Sequence, residues 1–282
     1  MGKLHWNQVN EMINNFIEML NLFGSSFYIG ILIAVVCSVF GVFVVIKRVV
    51  FIGITLSEVS ALGIAVALVL KINTTLGAVL MTLICVSLLS YPFERIRIPR
   101  DAVLGAMFVL ASGLSIILVS ESGFGLEKVT SILNGNLLYS STGDFISACC
   151  VLIPALLYLI VFFRPTVYSF IDPEFSKIMN IRTGFWDFLF FIVLGLVISI
   201  SSKIVGLVLV FSFIVVSPTI ALLFSRNLIP VIIISALIGV ISTVTGMFFS
   251  YTIDLPTSQT VCVLNVGIMI IVVFKKILFK AN

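Results

Sequence analysis

Nine nearly unbroken apolar runs recur along the chain, parted by short breaks that hold most of its charge. They extend from about Phe27 to Ile46, Phe51 to Leu70, Ile72 to Ser90, Ala102 to Val119, Phe145 to Phe163, Phe185 to Ile200, Ile204 to Phe224, Leu228 to Ser250 and Ser258 to Phe274. Each is close to the roughly 20 residues that carry a helix across a hydrocarbon core about 30 Å thick. The pattern predicts an all-α polytopic integral membrane protein with about eight or nine transmembrane helices, one run being open to a re-entrant course. Ahead of the first run, Asn7, Asn10, Glu11, Asn14, Asn15 and Glu18 interrupt any apolar core, and no small-residue cleavage site follows, so residues 1–25 do not resemble a signal peptide. Met12, Ile13, Phe16, Ile17, Leu20 and Phe23 instead fall at helical spacing. That predicts an amphipathic segment over 1–25, either a surface anchor or a lid over a pore entrance, followed by one membrane domain over 26–280.

Composition excludes a soluble fold: of 282 residues 61% are hydrophobic and 10% charged, with mean hydropathy +1.30, against roughly 45–50% and about 25% in soluble domains. Charge then orients the spans. Alternating nine passes with the C-terminus inside places Lys47, Arg48, Arg95, Arg97, Arg100, Arg164, Lys177, Arg182, Arg226, Lys275, Lys276 and Lys280 on the cytoplasmic side, 12 of the 16 basic residues. The net charge of +4 is scattered at run ends rather than clustered with aromatics, which speaks for membrane topology and against nucleic acid.

Several chemistries lack their residues. The single histidine, His5, leaves no HExxH site and no histidine-based triad or dyad within the spans, and no GxxxxGK[ST] loop is present to hold ATP. The five cysteines (Cys37, Cys85, Cys149, Cys150, Cys262) lie in apolar runs without a CxxC pair, as expected of packed thiols. The chain is therefore expected not to be an enzyme, and an intramembrane enzyme is the least favoured reading because no nucleophile and base can be named.

Eleven of twelve acids lie at run ends or in loops, and Glu58 is the exception. Seven residues from Phe51, it sits about 10 Å into its span at roughly 1.5 Å per residue. An ionisable group there costs on the order of 2.5–3.5 kcal/mol on insertion scales unless it is protonated, paired or wetted. Gly53, Ser57, Ala61 and Ala65 recur every fourth residue beside it, the spacing that lets helices approach closely. Glu58 is expected to face protein or water, either as a neutral acid bonded to a neighbouring helix or as a contact for a substrate or ion.

The stretch Val44-Val45-Ile46-Lys47-Arg48-Val49-Val50-Phe51-Ile52-Gly53, followed by Ser57 and Gly63, resembles the permease subunits of ABC transporters for zinc, manganese and iron, the ABC-3 family. Leu133-Asn134-Gly135-Asn136-Leu137 is similar to that family's FGN-type loop, and Phe170-Ile171-Asp172-Pro173-Glu174 to its FDPE cytoplasmic segment. Val205-Gly206-Leu207-Val208-Leu209 through Pro218-Thr219-Ile220-Ala221 is similar to its GVLLV…PAATA helix, and Asp254-Leu255-Pro256-Thr257 to its DLPTGP turn. The matches run in order over residues 27–274.

The resemblance implies an ABC-3 type permease that forms the translocation pore of an importer for divalent manganese, iron or zinc in a bacterial-type cytoplasmic (inner) membrane. It implies as partners a second permease copy or a paralogue, a separate cytoplasmic ATPase that holds ATP, and an extracytoplasmic metal-binding receptor, with no permanently bound cofactor. The alternative cargo is a metal chelate such as haem or a siderophore.

The family pattern GDALSHAVLPG carries an Asp and a His four residues apart that are implied to touch the metal; here Ile54 and Glu58 stand at those positions, and Leu62 at the proline. Oxygen ligation by Glu58 suits Mn²⁺ or Fe²⁺ better than an imidazole-rich zinc site would. A second Glu58 across a two-fold axis, or a paralogue, would supply further ligands.

In the cytoplasmic segment 165–183, Asp172, Pro173 and Glu174 have the form of an N-cap, a first-turn proline and a first-turn acid, opening a short helix that Asn180 ends. It is a connector on the residues alone. The resemblance implies the coupling helix, with Phe175, Ile178 and Met179 as anchors on the ATPase. Pro218 should kink its span, with Ser217 and Thr219 satisfying freed carbonyls, as scaffold or pore lining. Asp254 and Pro256 form an outer turn where the receptor would dock.

Overall fold

The computed structural model describes residues 2–89, 100–121, 135, 137, 140–171 and 183–280. Among these residues the fold is entirely helical: α1 (Gly2–Ile46), α2 (Phe51–Leu70), α3 (Thr74–Leu89), α4 (Arg100–Glu121), α5 (Thr142–Val161), α6 (Phe163–Ile171), α7 (Thr183–Val205), α8 (Leu207–Phe224), α9 (Leu228–Ile253) and α10 (Thr257–Lys280). Eight of them are long and apolar enough to cross a membrane, the first from Phe23 to Ile46. Helix α3 packs against α2 as a hairpin.

The predicted and observed helices differ chiefly at their ends. Helix α2 has the predicted bounds, because Lys71 adopts the left-handed conformation (φ 56°) and its N–H closes on Ala67 and Leu68 carbonyls. Helix α7 continues past Ile200 through Ser201, Ser202 and Lys203, since the serines are buried and Ser202 returns its hydroxyl to the Ser199 carbonyl at 3.3 Å. Helix α6 was not foreseen. It opens at Arg164-Pro165, where a proline in a first turn loses no hydrogen bond. The long α1 has one non-helical residue, Phe23 (φ −121°, ψ 26°), where the apolar span begins.

Helices α1, α2 and α7 form the interior, with α3, α4, α5, α9 and α10 around them. Packing is closest where side chains are missing. A Cβ on Gly63 would collide with the backbone of Gly77 and Ala78 in α3, and one on Gly77 with the Gly63 carbonyl. Gly41 of α1 meets the Ile214 backbone of α8 in the same way. Ile214 lies four residues before Pro218, so its carbonyl is the one the proline deprives of an N–H; Gly41 lets α1 pack directly against that carbonyl.

Several buried polar side chains are answered within the bundle. Cys37 of α1 donates to Ser201 at 3.6 Å, and Ser60 of α2 donates to the Ser199 carbonyl at 3.3 Å. The Asn265 amide of α10 donates to Ser212 and Ser217 of α8 at 3.0 and 3.1 Å. Thr219 donates to the Val215 carbonyl at 2.6 Å, while Ser217 turns to Asn265 rather than to its own helix.

Gly63→Ala should separate α2 from α3 and cost about 1–3 kcal/mol, the usual range for overpacking. Gly105→Ala on α4, where a Cβ would meet nothing within 4 Å, should leave stability unchanged. Thermal unfolding of the detergent-solubilised protein, measured side by side, checks the contrast.

Candidate functional site

Helix α2 is gripped almost all the way round. Thr55 donates to the Leu104 carbonyl of α4 at 3.2 Å, Ser60 faces Ser199 and Ser202 of α7, Gly63 abuts α3, and Gly53 lies 3.4 Å short of the Ile214 side chain of α8 by its virtual Cβ. Ser57 is buried and donates to the Gly53 carbonyl at 2.9 Å, so its hydroxyl is spent within the helix. At 3.6 residues per turn, Ile54, Glu58 and Ala61 share an arc of about 60°. These three are half-buried while their neighbours Thr55, Leu56, Ser57, Val59 and Ser60 are buried.

The open stripe thus holds one polar group. Glu58 has no hydrogen-bond or ion-pair partner among the described residues, so the expectation of a neutral acid bonded to a neighbouring helix is not met. Ile54 lies one turn nearer the N-terminal end of α2 on the same stripe and presents only hydrocarbon. No group of three or more His, Cys, Asp or Glu able to hold a metal occurs among the described residues. One copy of the chain therefore offers a divalent cation a single carboxylate at this depth.

The other predicted residues lie apart from Glu58. Ala61 belongs to the open stripe, whereas Gly53 and Gly63 sit in packed contacts on other sides of α2. Pro218 is buried within α8. Asp254 and Pro256 are exposed in the turn between α9 and α10; Asp254 takes the left-handed conformation (φ 56°) that ends α9, and Ser250 holds the turn by donating to the Leu255 carbonyl at 2.6 Å. Asp172, Pro173, Glu174, Phe175, Ile178 and Met179 lie outside the described residues.

Two charged contacts were not anticipated. At one end of the bundle Lys203 of α7 donates to Thr75 at 2.7 Å and lies 3.6 Å from Asp144, which closes a capping box with Ser141 at the start of α5. At the opposite end of α7, the end expected to be cytoplasmic, Lys47 meets Asp187 at 2.5 Å. The available sequence signal was Asp187 itself, a lone acid inside Phe185-Trp186-Asp187-Phe188, though no local pattern names its partner.

Residues 19–276 match the profile of the ABC 3 transport family. The chain belongs to that family. Its relatives include the manganese transport system membrane protein MntC of Halalkalibacterium halodurans, 27% identical over 233 residues, 82% of this chain and 80% of that protein. The high-affinity zinc uptake system membrane protein ZnuB of Haemophilus influenzae is 24% identical over 247 residues, 88% of this chain and 95% of its own. Among solved structures, PsaBC from Streptococcus pneumoniae in complex with Fab superposes with a TM-score of 0.82 at 22% identity, over 92% of this chain and 95% of that one, a likeness of fold.

As an ABC 3 family member the chain is a multi-pass transport subunit, not itself a catalyst; ABC importer permeases work with an ATPase and a substrate-binding protein. Access to the α2 stripe is directly measurable. Glu58→Cys and Ala61→Cys should react with a membrane-impermeant thiol reagent above the level set by the native cysteines, and Ile64→Cys, which is buried, should not.

Proposed function

We propose that this chain is the pore-forming permease of an ATP-driven importer of a divalent transition metal ion, manganese, iron or zinc, in a bacterial cytoplasmic membrane. The observation that carries the reading is Glu58: a carboxylate with no partner among the described residues, about 10 Å into a span, on the half-buried stripe of α2. A carboxylate there is costly in lipid and useful only to something positive that passes. The names of MntC and ZnuB, which bear manganese and zinc, support a bare ion over a chelate.

In this reading two permeases, alike or paralogous, face each other across the open stripes, so that each supplies one oxygen ligand set to the passing ion. Oxygen donors hold Mn²⁺ and Fe²⁺ without the tight grip that imidazole has on zinc, which suits a site that must release its cargo. The apolar Ile54 one turn below adds no further ligand. The ion is cargo, and ATP is bound and hydrolysed by the partner ATPase. Within the segment 165–183, Asp172, Pro173, Glu174, Phe175, Ile178 and Met179 form the contact on that ATPase, and the turn at Asp254 and Pro256 receives the metal receptor.

Two experiments bear on this. With permease, ATPase and receptor reconstituted in liposomes and Mn²⁺, Fe²⁺ and Zn²⁺ offered together, one metal should accumulate, and Glu58→Gln should lower its uptake about tenfold or more, the loss of a charge-assisted contact of ~1.4 kcal/mol or above. Uptake indifferent to Glu58→Gln refutes the role of that residue. Phe175→Asp should abolish metal uptake while the permease still inserts, and wild-type uptake by that variant refutes the coupling assignment.

A further inference from the structure

We propose that Lys47 and Asp187 are positioning residues that carry ATPase-driven movement from the neck of the coupling segment to α1, and through it to Glu58 on α2. The inference rests on Asp172, Pro173, Glu174, Phe175, Ile178 and Met179 being the ATPase contact, as proposed above. Those residues leave from the end of α6 and return at the start of α7, and the two ends are fastened together. Ser169 of α6 donates from its hydroxyl to the Thr183 carbonyl at 3.2 Å and to Asp187 Oδ1 at 2.7 Å.

Lys47 bolts this neck to α1. Its Nζ lies 2.5 Å from Asp187 Oδ2, 3.9 Å above the centre of the Phe170 ring and 5.3 Å from that of Phe191. The cation is thus held by a carboxylate from α7 and an aromatic face from α6 together. The side chains are only 15% and 27% exposed, so salt screens the pair far less than a surface bridge. Behind it Phe170 stacks on Phe190 at 4.7 Å, and Phe190 reaches Phe43 and Phe40 of α1 at 5.8 and 5.5 Å, an unbroken aromatic joint among the three helices.

From α1 the path to Glu58 is short and stiff. Lys47 and Arg48 (φ 59°) end α1, Val49 N–H returns to the Val44 carbonyl at 3.2 Å, and Ile52 N–H takes the Val49 carbonyl at 3.0 Å to start α2. No slack loop intervenes, so a displacement of the neck moves α1 and α2 as connected rods. A charge contact suits this task better than apolar packing alone, because it fixes direction and register at a junction of three helices.

The test uses the liposome complex of permease, ATPase and receptor, with ATP hydrolysis measured with and without receptor. Asp187→Asn should lose most of the receptor-induced stimulation, about fivefold or more, while basal hydrolysis and the yield of assembled complex stay within about twofold of wild type. Exchange of the charges, Lys47→Asp with Asp187→Lys, should regain about half of it or more, which neither single variant does. Full stimulation in Asp187→Asn overturns the proposal, as does an assembled exchange variant no better than the singles. The readout does not need the cargo: wild-type complex that responds to receptor yet imports none of the three metals overturns the metal reading alone. Full stimulation in Phe175→Asp overturns the coupling-segment reading, and with it this inference, in a separate arm.

Discussion

Hydrocarbon accepts no hydrogen bond, and this one fact organises the molecule. Every polar group inside the bundle has to find its partner in protein, so Ser57 and Thr219 bond the carbonyls of their own helices, Ser60 reaches α7 and Asn265 reaches α8. Such bonds work only if the helices lie close, and closeness is supplied by Gly41, Gly63 and Gly77, where a methyl group would strike the neighbouring backbone. Small residues and hydroxyls are two halves of one solution. Against that background Glu58 stands out as an acid within a span that has no hydrogen-bond or ion-pair partner among the described residues, and this is the ground for proposing it as a contact for a charged cargo.

Much of this was legible in the sequence and some was not, for identifiable reasons. The bounds of α2 follow from Arg48 and Lys71, charges that must leave the hydrocarbon at either end, and the helix keeps them. Helix α7 outran its apolar run because Ser201 and Ser202 are answered from within the bundle, a condition that composition does not reveal. Helix α6 hid behind Arg164-Pro165, which has the form of a break yet is a good first turn. Glu58 was visible as an oddity of depth; its lack of a partner required three dimensions. Lys47 and Asp187 lie far apart in the chain, and nothing local to either names the other.

The identity of the cargo class came from elsewhere. Residue types alone give a membrane bundle with one intramembrane acid, while the ordered motifs and the family match add transport by an ABC permease. Ile54 and Glu58 show how the two kinds of knowledge correct each other: the motif gives their place, and the structure shows that both positions share the open stripe although only one carries a polar side chain.

The glycine seam between α2 and α3 restricts the sequence as well as the packing. Gly63 and Gly77 each face the backbone or the carbonyl of the other helix, so neither can gain a side chain while the other stays in place. A change at one position is tolerated only together with a shift of the whole hairpin, which ties the freedom of α3 to vary to the register of the helix that bears Glu58. Two positions on different helices thus evolve as one.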